Sequence, residues 1–322
     1  MATTHVFTLS DVYRQSLEGT WVAQGWNAAW FGGGYTTPSL RSRVDRVIFA
    51  SDTATAVAKG PLSSTRYKLA AHGSPSDAWF GGGAVGPGVP GAASTVDRVI
   101  FSADTATAVA KGPLSLARFG SAASGNTTDA WFGGGGYAGS FSTVQRIIFS
   151  VDTATAVTKG PLSGARYELA AHGSTTDGWY GAGYSPAGSL SRVDRIIFAS
   201  DTATAVAKGP LGTARLRVAA HGSETDAWFG GGVNTSLPST FSTVDRVIFS
   251  SDTATAVAKG SLSAARYKLT ASGSETDAWF GGGTTVPGAL FSTVDRVIFS
   301  ADTATAVAKG PLSVARSMLA AD

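Results

Sequence analysis

The chain has 322 residues, a formal net charge of +3, 41 glycines, 12 prolines and no cysteine. Without cysteine there are no disulfides, thiolate metal sites or cysteine nucleophile, and the evenly mixed charge lacks the one-sided Lys/Arg stripe of a nucleic-acid binder. No window approaches about 20 consecutive apolar residues and the first residues lack a basic segment followed by an apolar core, so neither membrane insertion nor a signal peptide is expected.

Residues 1–25 form an N-terminal extension outside any repeat. Ser10 suits the cap of a short helix from Asp11 to Leu17, with Gly19 as its stop. Phe7, Leu9, Leu17 and Trp21 either cover one face of the structure that follows or belong to an attachment arm.

From residue 26 to 322 the chain is six near-copies of one unit. DTATA begins at Asp52, Asp104, Asp152, Asp201, Asp252 and Asp302, and an aromatic pair followed by small residues begins at Trp30, Trp79, Trp131, Trp179, Trp228 and Trp279. In the unit from Arg66 to Leu114, strands are predicted over residues 67–71, 77–83, 96–101 and 105–111, separated by Gly, Ser, Pro and Asp turns. Apolar residues at helical spacing are missing. Four antiparallel strands per unit of about 50 residues make a propeller blade, so the expected fold is an all-β, six-bladed propeller. The chain enters its repeats at a second strand (27–34) and leaves them after a first strand (316–321), which predicts a closing blade shared by the two ends.

The run PLS-x-AR-x-x-x-AA, then AWFGGG, then VDRVIF resembles the kelch motif in every unit from about residue 26 onward. It departs from that family in the fourth strand, where TATAVAK replaces the usual aromatic and implies thinner outer packing. The wording DRVIFSSDTATAVAKGPLSxAR with AWFGGG is also similar to repeats in tail and fibre proteins of marine bacteriophages, cyanophages among them, and FTLSDVYRQ near the N-terminus fits that group loosely. This second resemblance implies a virion structural protein, made in the host cytoplasm, whose partners are other virion proteins or a host cell-surface glycan or protein. Kelch-type folds include a copper oxidase, but the cysteine of its cross-link is missing here, and the Asp-box spacing of sialidase-like propellers is not found.

No G-x-S-x-G, H-E-x-x-H or phosphate-loop pattern occurs, and GGGG at 133–136 precedes a strand rather than a helix. No catalytic residue, cofactor or metal is therefore expected. The six tryptophans could offer sugar-stacking platforms, but equivalent positions inside a strand favour packing between blades. VDR places Asp and Arg on opposite strand faces at Asp45-Arg46, Asp97-Arg98, Asp194-Arg195, Asp245-Arg246 and Asp295-Arg296, with Gln145-Arg146 breaking the series. The PLS-x-AR arginines (Arg66, Arg118, Arg166, Arg215, Arg266, Arg316) suit either pairing with those carboxylates between blades or an acidic polysaccharide in the central channel; unit-by-unit charge balance favours pairing. SDTAT reads as a turn rather than a calcium loop. His72, His172 and His221 occupy one repeat position, expected on a rim and too far apart to share a metal ion.

Individuality is concentrated between the glycines and the third strand, at residues 35–43, 84–95, 137–143, 184–192, 233–243 and 284–293. In an antiparallel blade these loops emerge on the rim that carries the PLS-x-AR turns. That rim is the expected binding face, with Tyr35, Tyr137 and Tyr184 as exposed contacts and Arg41, Arg43, Arg192 and Asn234 as polar ones. The expected function is non-enzymatic recognition of a host surface or virion subunit. A glycan-binding lectin is the alternative, and a hydrolase or lyase with a dispersed site comes third.

Overall fold

The computed structural model describes residues 27–86, 91–236 and 239–322; the proposed helix and arm of residues 1–25 lie outside them. Six four-stranded antiparallel sheets follow one another, each joined to the next through its connection from outer to inner strand. The second blade is typical: inner strand Ala70–Ser74, second Asp77–Gly81, third Val96–Ile100 and outer Val109–Lys111. The protein is an all-β six-bladed propeller.

Two strands differ from the sequence expectation. The inner strand starts three residues late because Lys68 takes a left-handed conformation, φ 56°, which ends any extended run before it. The outer strand keeps only its last three residues. Phe101–Ala103 is a single 3-10 turn, and Ala106 donates to the Ala103 carbonyl at 3.0 Å, so the DTAT segment curls instead of extending. The Asp104 carboxylate is meanwhile held by Arg46 and Lys59 of the preceding blade, each at 2.9 Å. DTAT is a turn, and its Asp ties blades together.

Blade interfaces carry the core. Six clusters of buried residues each draw on two neighbouring blades, as Trp30 and Val44 of the first do with Phe80, Val99 and Phe101 of the second. Every repeated Trp is at most 2% exposed and stacks on a Phe of the next blade, with ring centroids 3.8 to 4.9 Å apart. The third-strand arginine of its own blade also lies over the indole, 5.2 to 5.6 Å from its centroid, so the ring is in contact with both a cation and an aromatic. The aromatic after each Trp is fully buried against a glycine of the previous blade. A Cβ on Gly32 would lie 2.6 Å from the Phe80 ring, so the blades reach this separation only because the position has no side chain.

The ring closes between the last strand and the first. Ala320–Ala321 pairs with Ala28–Gly32, and Trp30 and Asp322 exchange backbone hydrogen bonds of 2.8 and 3.1 Å. Trp279 stacks on Phe49 at 3.9 Å across this seam, and Arg316 reaches Asp45 at 2.7 Å. These are the contacts of the other interfaces too, apart from the one at Gln145, which lacks the ion pair.

Candidate functional site

The loops between second and third strands share one rim with the outer-to-inner connections, and backbone hydrogen bonds fasten the two together. Leu62 donates to Ser42 and Arg66 to Arg41; Leu114 donates to Ser94 and Arg118 to Ala93 in the same way. The base of each loop is thus fixed by a repeated pattern, while its tip is free to differ. Two tips form small ribbons, Tyr35–Thr36 with Ser39–Leu40 and Tyr184–Ser185 with Gly188–Ser189. Neighbouring tips also touch, Ser189 Oγ lying 3.1 Å from Thr235 Oγ1.

Of the expected contacts, Tyr137 is exposed, at 50%, as are Arg41 and Arg192. Arg41 Nε donates to Thr36 Oγ1 at 2.7 Å within its ribbon. Tyr35 and Tyr184 are only half-buried contacts rather than exposed ones. The cause is a partner on the adjoining connection: Tyr35 packs on Tyr67 with centroids 5.9 Å apart and Tyr184 on Tyr167 at 5.4 Å. Arg43 is committed internally, its Nε donating to Asp45 Oδ1 at 3.1 Å and Ser313 Oγ at 2.7 Å. Asn234 braces its loop, donating to the Ala214 carbonyl and accepting from the Ser236 amide, both at 2.8 Å.

Five PLS-x-AR arginines, fully buried, pair with the VDR carboxylate of the blade they enter, at 2.6 to 3.1 Å. Burial opposes ionisation of Asp45, but Arg316, Ser313 and Arg43 hold its carboxyl below the ordinary value. Arg118 faces Gln145 instead. It donates to the Gly134 and Thr143 carbonyls and to Thr143 Oγ1, and burial without a counter-charge lowers it to about 10.

The histidines are not on a rim. They lie on inner strands and line the central channel with Ser124, Ser272 and Asp322, around an opening of about 170 Å³ at the end away from the variable loops. The reason is that the inner strand runs on past residue 71, its expected end, so that His72, His172 and His221 sit within inner strands rather than in the turns that follow them. His172 and His221 are neighbours, with ring centroids 4.8 Å apart. The Nε2 atoms of His72, His172 and His221 lie 3.2 to 3.3 Å from the carbonyls of Asn126, Ser223 and Ser274. Burial lowers His72 and His221 to about 4 and His172 well below its ordinary value, and it raises Asp322 to about 7. Among the described residues no group of three or more His, Asp or Glu is arranged to hold a metal ion, and no helix is long and apolar enough to cross a membrane.

Sequence reasoning missed the other channel mouth, on the variable-loop side. Lys68, Gly120, Glu168, Arg217, Lys268 and Met318 occupy one repeat position there. The overlooked signal was a position two residues after the PLS-x-AR arginine that changes chemistry from blade to blade between mostly aromatic and aliphatic neighbours.

No protein-family model matches the sequence, and no curated protein matches it. Among solved structures, one described as the structure of YjhT is similar with a TM-score of 0.70 and 11% identity, over 87% of this chain and 97% of that one. At this identity the likeness is one of fold.

Proposed function

We propose that this protein is a non-enzymatic recognition module of the tail or fibre kind in a phage virion, binding a host surface or another virion subunit through the variable-loop rim. One observation carries this reading. The loops that differ between blades leave them on one rim, where Tyr137, Arg41 and Arg192 are exposed, whereas the opposite rim repeats the DTAT turn in all six blades and a Ser/Thr-Asp turn in five. A ring of near-copies acquires a unique orientation only where its copies differ. The six tryptophans, at most 2% exposed, offer no sugar-stacking platforms, which weighs against a six-site lectin. The kelch and phage resemblances supply the setting.

Exchanging loop 84–95 or loop 233–243 for loop 137–143 tests this. The base contacts recur in the donor loop, where Leu162 donates to Ser142 and Arg166 to Phe141, so the exchanged chains should melt as the parent does. Attachment to host cells or to virions lacking this subunit should weaken. Attachment that survives every exchange and disappears on removal of residues 1–20 would place recognition on the N-terminal arm instead.

A further inference from the structure

The six residues at the variable-loop mouth of the channel close a ring of backbone hydrogen bonds. Gly120 donates to Lys68, Glu168 to Gly120, Arg217 to Glu168, Lys268 to Arg217, Met318 to Lys268 and Lys68 to Met318, at 2.6 to 3.1 Å. To make these bonds every member adopts a left-handed backbone, φ 56° to 63°. That conformation strains a residue with a side chain and costs glycine almost nothing. Only the third blade uses glycine. Elsewhere the position carries Lys, Glu, Arg, Lys and Met, side chains not selected for backbone ease, while the residues flanking it are aromatic or aliphatic except Ser121 and Ser317.

Their charges do not cancel. Glu168, 6% exposed, is clamped by Lys68 at 2.7 Å and Arg217 at 2.5 Å. Lys68 reaches it from two blades away, across the blade whose Gly120 has no side chain. Lys268 has no carboxylate within ion-pair distance among the described residues, and its ammonium sits 4.9 Å from the Tyr267 ring centroid. Arg217 lies over the same ring at 5.7 Å. The mouth therefore holds three cations against one carboxylate, above a recess of about 120 Å³. A half-buried cation without a counter-charge, beside a guanidinium, is suited to a charge-assisted bond from an oxyanion.

We propose that this mouth binds a small molecule through a carboxylate or phosphate group, with Lys268 as the principal contact and Arg217 and Lys68 supplying the surrounding positive field. The site is independent of the loop tips, so its test does not depend on how the rim is used. Burial first, and then the charge of Arg217, lower Lys268 to about 8; Glu168 opposes this and Lys68 adds to it. Tyr267 is the other titratable group against it. Oxyanion affinity should therefore fall as pH rises from 7 to 9 and Lys268 loses its proton.

The test is calorimetric titration of the full chain with glucuronate and, separately, inorganic phosphate, at ionic strength held constant with sodium chloride. The stronger probe identifies which group is preferred. Lys268→Met should weaken that probe by roughly tenfold or more, as expected for loss of one charge-assisted bond. Lys268→Arg should retain binding, and Glu168→Gln should tighten it by releasing Lys68 and Arg217. Equal affinity in the parent and Lys268→Met, or no binding of either probe tighter than about 10 mM, overturns the proposal. If Lys268→Met does not fold, the parent decides: glucuronate is fully ionised at both pH 7 and pH 9, and equal affinity at the two overturns it.

Discussion

Gln145 breaks a series of buried ion pairs, and restoring the carboxylate with Gln145→Asp should stabilise the protein. In the second blade Asp97 accepts from Ser63 N at 3.1 Å, Ser63 Oγ at 2.6 Å and Arg66 Nη2 at 2.6 Å. In the third, Gln145 Oε1 accepts only from Ser115 N at 3.1 Å, and Arg118 Nη2 turns to Thr143 Oγ1 at 2.8 Å. Lowering Arg118 from 12.5 to about 10 corresponds to roughly 3 to 4 kcal/mol for burying its charge alone, at about 1.4 kcal/mol per pH unit. A carboxylate at 145 recovers most of this and gains the Ser115 hydroxyl, but its own desolvation costs several kcal/mol. The expected net gain is about 1 to 2 kcal/mol, or roughly 1.5 to 3 °C in melting temperature for a chain of this size. Urea denaturation should show the gain at pH 7 and its loss as the new carboxyl is protonated below about pH 4. The companion variants sharpen the test. Arg66→Met strands Asp97 and should cost about 3 to 5 kcal/mol, whereas Arg118→Met strands no carboxylate and should cost clearly less, until Gln145→Asp is also present. A Gln145→Asp chain no more stable than the parent, or equal costs for Arg66→Met and Arg118→Met, would refute the reasoning.

Trp131→Ala removes a ring that contacts Arg146 at 5.2 Å and stacks on Phe198 at 3.9 Å and should cost on the order of 3 to 5 kcal/mol in denaturant unfolding; a loss below about 1 kcal/mol contradicts the packing role. Deleting residues 316–322 removes the strand paired with Ala28–Gly32 and the Arg316–Asp45 pair, so melting should lose cooperativity or the chain should aggregate, and unchanged melting counts against closure. Because the folded-state values of His72 and His221 are depressed to about 4, their contribution is present above the ordinary value of about 6.5 and is lost as pH falls towards 4. Asp322, raised to about 7, acts in the opposite sense, its contribution fading as pH rises from the ordinary carboxylate range through 7. Replacing both His72 and His221 with Gln should therefore flatten the acid side of the stability profile measured by thermal melting, and an unchanged acid slope refutes the channel-wall account.

Repetition made the architecture legible before any coordinates. A period of about 50 residues, with glycines after an aromatic pair and a β-branched third strand, leaves few solutions other than a propeller, and the phase of the first and last units points to the shared blade. Burial of the tryptophans followed from their recurrence inside a strand. The unit-by-unit balance of Arg and Asp likewise foretold the five buried pairs, and Gln145 marked the one position without a pair. What the one-dimensional pattern could not contain was the ring itself. Left-handed φ at Lys68 and its five equivalents arises because six backbones meet around one axis and must hydrogen-bond to each other there, a constraint invisible within any single unit. That constraint shifts the inner strand along the chain, puts the histidines in the channel wall rather than on a supposed rim, and gathers Lys68, Glu168, Arg217 and Lys268, up to 200 residues apart in the chain, at one mouth. Tertiary packing also decided which rim residues are available, since Tyr35 and Tyr184 meet Tyr67 and Tyr167, and Arg43 meets Asp45, only once neighbouring connections are brought together. Local sequence set the blade; closure about the axis set the chemistry of the channel.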